Sequence, residues 1–324
     1  MEFFEDFESL IGNTPLVKLD LLSPATCFGK LEYLNPGGSI KDRSALFMIN
    51  AAEKNGLLKP GGTIVEASSG NQGIALAMIG KLRGYKVIIT VPDRTSKEKV
   101  ATIRAYGADV LVCEDCVDEL GAGYHSVAVG LAKSVPGAFM PNQYFNAANI
   151  EAHYSTTGPE IWRQTDGKVT HVFVGAGSCG TIMGVGRYVK ERNPAVKIIG
   201  VDAETSVYSS ADPKPYENEG IGIDSKSGLL DTKWVDDIQC VGDRAAFDRT
   251  RWLVRNSGIL VGPSSGSVVE VALRFKNSFK PDDVVVLMMA DSGRAYLEKL
   301  FGDRARGELA CDSKNTSHLE MTSF

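Results

Sequence analysis

Short runs of β-branched and other apolar residues alternate along this chain with longer segments whose apolar residues recur at helical spacing. The short runs predict buried parallel strands at 61–67, 85–92, 108–113, 170–177, 196–202 and 282–291. The longer segments predict helices at 70–84, 96–107, 180–194, 243–258 and 264–278. This alternation predicts an α/β fold with open, mostly parallel twisted sheets flanked by helices, in one sheet or two.

Two segments lack this periodicity. Residues 203–233 form the longest irregular stretch before the C-terminal part, and a long loop in a compact α/β protein is typical of a functional site. Residues 303–324 lose the hydrophobic pattern, and we expect them to form a tail outside the folded core.

Composition excludes several classes of function. The net charge of -5 over 324 residues gives no basic field for a polyanion, so we expect no nucleic-acid partner. The start MEFFEDFESLIG is acidic, and no run of about 18 apolar residues occurs, so we expect no membrane span and a cytoplasmic location. The 6 cysteines are too sparse for a disulfide scaffold. Cys113 and Cys116 form an isolated CxxC, and we expect no metal site there.

Three turns lead from an apolar strand into a helix through glycine and small hydroxyl residues. They are VEASSGNQG (65–73), VFVGAGSCGT (172–181) and LVGPSSGS (260–267). Such turns aim backbone N–H groups and a helix N-terminus at one point, which suits a phosphate or a carboxylate. Each turn taken alone is also explained by helix capping or by a tight turn that binds no ligand. The second turn, VFVGAGSCGT, could also belong to a dinucleotide-binding site, because the acidic residue Asp202 follows it at about the required distance.

A lysine stands in a comparable position in NPGGSIKDRSA (35–45), directly after two glycines and a serine and at the predicted opening of a helix. This residue, Lys41, together with the three turns, indicates a small anionic ligand with a phosphate and an electrophilic carbon. Pyridoxal 5'-phosphate has both, because its aldehyde reacts with a lysine amine.

The chain resembles fold-type II pyridoxal-phosphate enzymes of the cysteine synthase and cystathionine β-synthase family over about residues 8–302, and it looks most like bacterial cystathionine β-synthases. The motifs that carry the resemblance are IGNTPLVKL, KLEYLNPGGSIKDR, SSGNQGIALA, NQYFNAANIEAHYSTTGPEI, GSCGTIMG, EGIGID and GPSSGS. The resemblance implies two sheets in the tryptophan synthase β-like arrangement. It also implies a larger cofactor-phosphate domain (1–40 and 148–302) and a smaller mobile substrate domain (41–147).

The resemblance also implies roles for individual residues. Lys41 would form the covalent link to the cofactor and later act as the base at the substrate α-carbon. The other cofactor-binding positions are Asn71 at the 3'-oxygen, Ser264 at the pyridine nitrogen, and the phosphate loop of Gly177, Ser178, Cys179, Gly180 and Thr181. The substrate-binding positions are Ser68, Ser69, Gly70, Asn71, Gln72, Gln143, Gly220 and Gly222.

The implied reaction is β-replacement on serine or an O-activated serine through an aminoacrylate, because a neutral Ser264 makes the cofactor ring a weak electron sink. Homocysteine is the expected acceptor. The alternative acceptors are sulfide, as in cysteine synthases, and an amine that would give a diaminopropionate precursor. The alternative to an enzyme is a non-catalytic interaction protein. We expect a homodimer that acts on small amino acids, without a haem-binding extension or a regulatory domain pair.

The chain departs from the family's usual motifs at two points. Cys179 replaces a glycine of the phosphate loop, so it must adopt backbone angles that suit glycine. Ser68 and Gln72 each replace a threonine in the substrate loop. The second change alters a side chain that faces the substrate, and we expect it to affect which amino acid is used.

Overall fold

The computed structural model describes residues 1, 3–68, 70–114, 123–223 and 226–302. The strands are β1 Leu16–Leu19, β2 Thr26–Leu31, β3 Thr63–Ala67, β4 Lys86–Pro92, β5 Asp109–Cys113, β6 Ala138–Phe139, β7 His171–Gly175, β8 Lys197–Ala203, β9 Asp237–Val241 and β10 Val284–Met289. The α-helices are α1 Lys41–Lys54, α2 Asn71–Leu82, α3 Lys97–Ala105, α4 Tyr124–Ser134, α5 Ala147–Ala152, α6 Gly158–Gln164, α7 Gly180–Lys190, α8 Asp243–Ser257, α9 Pro263–Arg274 and α10 Leu297–Phe301.

The strands form two separate sheets, which confirms the predicted fold class. One sheet has 6 strands in the order β1-β2-β10-β7-β8-β9, and the other has 4 in the order β5-β4-β3-β6. Within the described part of the chain, every named strand pairing is parallel except the antiparallel pair of β1 and β2. The four-stranded sheet uses only residues 63–139, and the domain limits at 41 and 147 remain predictions.

Alternating side chains of the central strands bury both faces of each sheet. Leu287 of β10 packs in one apolar cluster with α8 and α9, while Val286 and Met288 pack in another with α7. In the smaller sheet, Ile64 packs against α2 and Val65 against α4. Successive residues of a strand point to opposite faces, and both faces are buried here. These strands are therefore apolar throughout, and the sequence shows them as short hydrophobic runs.

The structure corrects the predicted pattern at the sheet edges. The sequence analysis predicted the strand at 108–113 to be buried, but β5 is an edge strand in which Leu111 and Val112 are exposed. Strands β1, β2, β6 and β9 were not predicted. Three of these lie at sheet edges, and β2 pairs in part with an antiparallel neighbour, so their patterns are weaker.

A network of buried charges holds the first turn of α1. The guanidinium of Arg43 donates to Glu32 Oε2 at 2.7 Å through Nε and to Glu160 Oε1 at 2.6 Å through Nη1. Lys30 Nζ donates to the other Glu160 oxygen at 2.6 Å. All four side chains are nearly inaccessible to solvent, so two cations neutralise two anions inside the core. The network ties α1 to β2, to the turn after it, and to α6.

No helix in the described ranges is both long enough and apolar enough to cross a membrane.

We predict that Arg43→Met lowers the free energy of unfolding by about 3–5 kcal/mol, because it leaves Glu32 and Glu160 buried without their shared partner. Arg187→Ala is the control, since Arg187 pairs with Glu191 on the surface, where such pairs contribute about 0–1 kcal/mol. Urea denaturation of the cofactor-free proteins measures both changes. Equal losses in the two variants would show that the buried network has no special role.

Candidate active site

The predicted site residues converge on two adjoining cavities. The larger has a volume of about 870 Å³, and its lining includes Lys41, Ser68, Asn71, Gln72, Gln143, Gly177, Ser178, Gly220 and Gly222. The smaller is lined in part by Lys41, Gly177, Ser178, Cys179, Thr181, Gly220 and Ser264. The helices α1, α2, α7 and α9 all begin close to these walls, at Lys41, Asn71, Gly180 and Pro263. Four helix N-termini make the region favourable for an anion.

Lys41 is the first residue of α1, as the sequence predicted. Gly38 before it has a φ of 86°, and a Cβ at Gly37 would lie 2.4 Å from Asp42 Oδ1, so both glycines are required by the tight turn. Burial lowers the pKa of the Lys41 amine, while the carboxyl of Asp291 acts in the opposite direction. A lowered pKa favours the neutral amine, which is the form that can react with a carbonyl carbon or accept a proton.

Cys179 adopts the left-handed conformation, with a φ of 66° and a ψ of -2°. The backbone therefore keeps the shape that glycine gives such loops, and α7 begins directly after it. Its sulfur lies 3.4 Å from both Gly177 O and the hydroxyl of Tyr208, and its single S–H can donate to either. Burial raises the pKa of the thiol to about 11, so Cys179 is neutral near pH 7. These contacts hold the residue in a conformation that costs about 1–2 kcal/mol for a residue with a Cβ.

Two side chains from the segment 142–161, His153 and Asn149, contact the loop 177–181, which is the candidate phosphate loop. His153 is buried, with Nε2 3.2 Å from Thr181 Oγ1 and Nδ1 2.9 Å from Thr157 Oγ1. Burial lowers its pKa well below the usual value, so the ring is neutral. Asn149 donates to Gln143 O at 2.8 Å and to Ser178 Oγ at 3.2 Å. Asn149 thus connects Gln143, a predicted substrate-binding residue, to Ser178 of the candidate phosphate loop.

Ser264 supports the fit of pyridoxal phosphate to this site. Its hydroxyl is buried and has no hydrogen-bond partner among the described residues, although it lines the smaller cavity with Lys41 and the loop 177–181. A buried hydroxyl without a partner is costly unless a ligand satisfies it. A Cβ at Gly220 would lie 3.1 Å from Ser264 Oγ, so glycine keeps this hydroxyl accessible. An uncharged group at this point fits the nitrogen of a pyridine ring.

The candidate substrate side gathers uncharged donors around the start of α2. Ser68 Oγ accepts from the backbone N–H groups of Gly70 at 3.1 Å and Gly73 at 3.0 Å, so it also caps the helix. Gln72 is buried, its Oε1 accepts from Ser44 Oγ at 2.8 Å, and its Nε2 has no partner within the described ranges. These groups can bind a carboxylate without a charged partner. Ser69 lies outside the described residues.

The segment 216–223 covers the larger cavity from the other side. Gly222 has a φ of 75°, and a Cβ there would lie 2.5 Å from the ring of Tyr216. Glu219 accepts from Lys99 Nζ of α3 at 2.8 Å, which links this segment to the four-stranded sheet. The irregular region predicted at 203–233 therefore does form part of the cavity wall.

Two residues that are not among the predicted site residues contact these groups. Asp291 accepts from Asn71 Nδ2 at 2.7 Å, and Tyr208 accepts from Ser227 N at 3.0 Å and contacts the Cys179 sulfur. In the sequence, only their positions indicate a place near the site. Asp291 stands at the end of the last predicted strand, and Tyr208 lies in the long irregular segment 203–233. Of the described residues of the predicted site, all except Gly70 and Gly180 line one or both cavities.

A protein-family model described as "Pyridoxal-phosphate dependent enzyme" matches residues 7–291. A cystathionine beta-synthase of Apis mellifera is 40% identical over 309 residues, which cover 92% of this chain and 61% of that protein. A probable cysteine synthase of Bacillus subtilis is 42% identical over 295 residues, which cover 89% of this chain and 94% of that protein. The chain spans about three fifths of the length of the curated cystathionine beta-synthases of Apis mellifera and Saccharomyces cerevisiae.

Solved structures agree with these matches. The crystal structure of an O-ureido-L-serine synthase has a TM-score of 0.88 at 33% identity and covers 95% of this chain and 100% of that one. An O-acetylserine dependent cystathionine beta-synthase from Helicobacter pylori has a TM-score of 0.86 at 34% identity and covers 93% of this chain and 100% of that one.

We predict that Cys179→Gly binds pyridoxal phosphate within about twofold of the unchanged protein, because glycine adopts the left-handed conformation without strain. Cys179→Val should bind at least about tenfold more weakly, since a β-branched residue is an outlier there. Cys27→Val is the control, because Cys27 is equally buried but lies in strand β2. Fluorescence titration of the cofactor-free proteins measures the affinities. Tight binding by Cys179→Val would contradict the assignment of this loop.

Proposed function

Since this chain belongs to the family of pyridoxal-phosphate dependent enzymes, we propose that it catalyses β-replacement on serine or an O-activated serine, with homocysteine as the acceptor and cystathionine as the product. The observation that carries the proposal is the shared cavity of Lys41 and the unpartnered hydroxyl of Ser264. The relatives named cystathionine beta-synthase and cysteine synthase support the same reaction class.

Each group of the site has a part in binding the cofactor. The loop 177–181 would take the phosphate, Asn71 the 3'-oxygen, Ser264 the ring nitrogen and Lys41 Nζ the reactive carbon. Pyridoxal phosphate, when bound, supplies an electron sink that makes the α-proton of an amino acid acidic and allows a β-substituent to leave. Ser264 is a neutral partner and does not hold a proton on the ring nitrogen as a carboxylate would. This limits the sink and disfavours transamination.

Lys41 also performs the proton transfer. Its amine can accept the α-proton of the donor amino acid because burial favours the neutral form. The start of α2, with Ser68, Gln72 and the nearby Gln143, would hold the donor carboxylate and orient that α-proton toward Lys41 Nζ. The segment 216–223 and α3 cover the cavity, which would keep water from the reacting carbon.

An amino-acid acceptor fits the larger cavity better than sulfide does. Beyond the proposed cofactor contacts, the wall of the larger cavity carries charges of both signs, among them Arg94, Lys97, Glu98 and Glu217. Such a wall suits a second zwitterion. An amine acceptor is the second candidate, because Gln72 changes the substrate loop.

We further propose that the protein is a cytoplasmic homodimer. Cys27, Cys179 and Cys240 are free thiols, which is typical of a reducing compartment. The edge strand β1 exposes Val17, and the N-terminal segment exposes Phe3, Phe4 and Phe7. Exposed apolar residues of this kind support an interface with a second copy.

We predict that the purified protein is yellow and that, with serine, O-acetylserine and O-phosphoserine each offered with homocysteine, sulfide and amino-acid amines, homocysteine gives the fastest turnover. Lys41→Ala should lose at least about 10³-fold in rate with every pair. Lys54→Ala is the control, since Lys54 is the exposed last residue of the same helix. Faster turnover with sulfide or an amine would reassign the acceptor, and a colourless protein without turnover on any pair would refute the proposal.

A further inference from the structure

The segment DSGRAY, residues 291–296, joins the candidate site through its two ends, although the mechanism above assigns it no role. Asp291 follows β10, and its carboxyl is 1% exposed. Its Oδ2 accepts from Asn71 Nδ2 at 2.7 Å and from the hydroxyl of Tyr296. A buried carboxyl that binds a residue 220 positions earlier in the chain links the two sheets at the cavity wall.

The backbone beside this carboxyl supports two further parts of the site. Ile40 N, next to Lys41, donates to Ala290 O at 2.8 Å, and Gly262 N, two residues before Ser264, donates to Asp291 O at 3.0 Å. Residues 290–291 are therefore the point at which the elements carrying Lys41, Asn71 and Ser264 are joined. The bonds from Ile40 and Gly262 join backbone atoms, whereas the bond from Asn71 joins two side chains, so of these three bonds a substitution at Asp291 removes only the one from Asn71.

The surroundings are shaped to hold this carboxyl in one place. A Cβ at Gly262 would lie 2.1 Å from Asp291 Oδ1, so a glycine is required beside it. Lys99 Nζ lies 4.3 Å from the centre of the Tyr296 ring and pairs with Glu219, which places a cation behind the tyrosine that binds Asp291. Burial raises the pKa of Asp291, and the charge of Lys99 and the bonds from Tyr296 and Asn71 act in the opposite direction.

We propose that Asp291 is a positioning residue that orients the Asn71 amide toward the cofactor. An amide nitrogen has two hydrogens. Asp291 binds one of them, which fixes the rotation of the amide and leaves the other for the 3'-oxygen of the cofactor. Without Asp291 the amide is free to rotate, and its oxygen can face the cofactor oxygen instead. The inference rests on the proposed function, because it requires Asn71 to contact pyridoxal phosphate.

The test is a double-mutant cycle on cofactor affinity, measured by titrating cofactor-free protein with pyridoxal phosphate and following fluorescence. Asn71→Ala and Asp291→Ala should each weaken binding about five- to tenfold, the usual effect of one lost hydrogen bond. The double variant should be no weaker than Asn71→Ala alone, because Asp291 acts through Asn71. Asp291→Asn keeps an acceptor oxygen and should stay within about twofold. Tyr296→Phe leaves the bond between Asp291 and Asn71 in place and is the control.

The outcomes separate the inference from the proposed function. If Asn71→Ala binds the cofactor normally, the placement of Asn71 in the proposed function is wrong. If Asn71→Ala weakens binding but Asp291→Ala does not, or if the two effects add, Asp291 does not act through Asn71 and the inference is overturned. Should Asp291→Ala fail to fold, Asp291→Ser takes its place in the cycle, because its shorter side chain removes the oxygen that accepts from Asn71 and keeps a polar group in the wall.

Discussion

The site depends on the guanidinium of Arg43, which lies two residues after Lys41 and binds two buried carboxylates at once. Glu32 belongs to the turn after β2 and Glu160 to α6, so one side chain fixes the start of α1 against both sheet and helix. Lys30 balances the remaining charge. Breaking any pair leaves a charge in the core without compensation, so the network holds α1 in one position. That position places Lys41 at the junction of the two cavities.

Around this lysine, the groups that are available to a ligand are mainly backbone N–H groups and uncharged side chains. Helix N-termini and small hydroxyl residues offer donors to anions, and Ser264 offers a neutral hydroxyl. The two sheets contribute different walls and are connected there by the bonds of Asn71 to Asp291 and of Lys99 to Glu219. A site at such a junction can close over a substrate through small movements of either sheet, which would exclude water from a reactive centre.

The sequence predicted those features that local patterns encode. Lys41 begins a helix because two glycines allow the turn before it. The central strands could be predicted because both faces of each sheet are buried, which makes these strands continuous apolar runs. Exposure of β5 and the existence of β1, β6 and β9 depend on which strand lies at an edge, which tertiary contacts decide. The bond between Asn71 and Asp291 was not predicted, because the two residues are distant in sequence. The motifs supplied residue roles by resemblance, and those roles remain predictions.

The most direct test of the account is to locate the covalent link to the cofactor. The protein, saturated with pyridoxal phosphate, is treated with borohydride, which makes the link permanent, and its peptides are then analysed by mass spectrometry. The account predicts one modified lysine, Lys41, because its amine alone among the described lysines lines both cavities. Modification of a different residue, such as Lys99 at the edge of the larger cavity, or no modification at all, would contradict it.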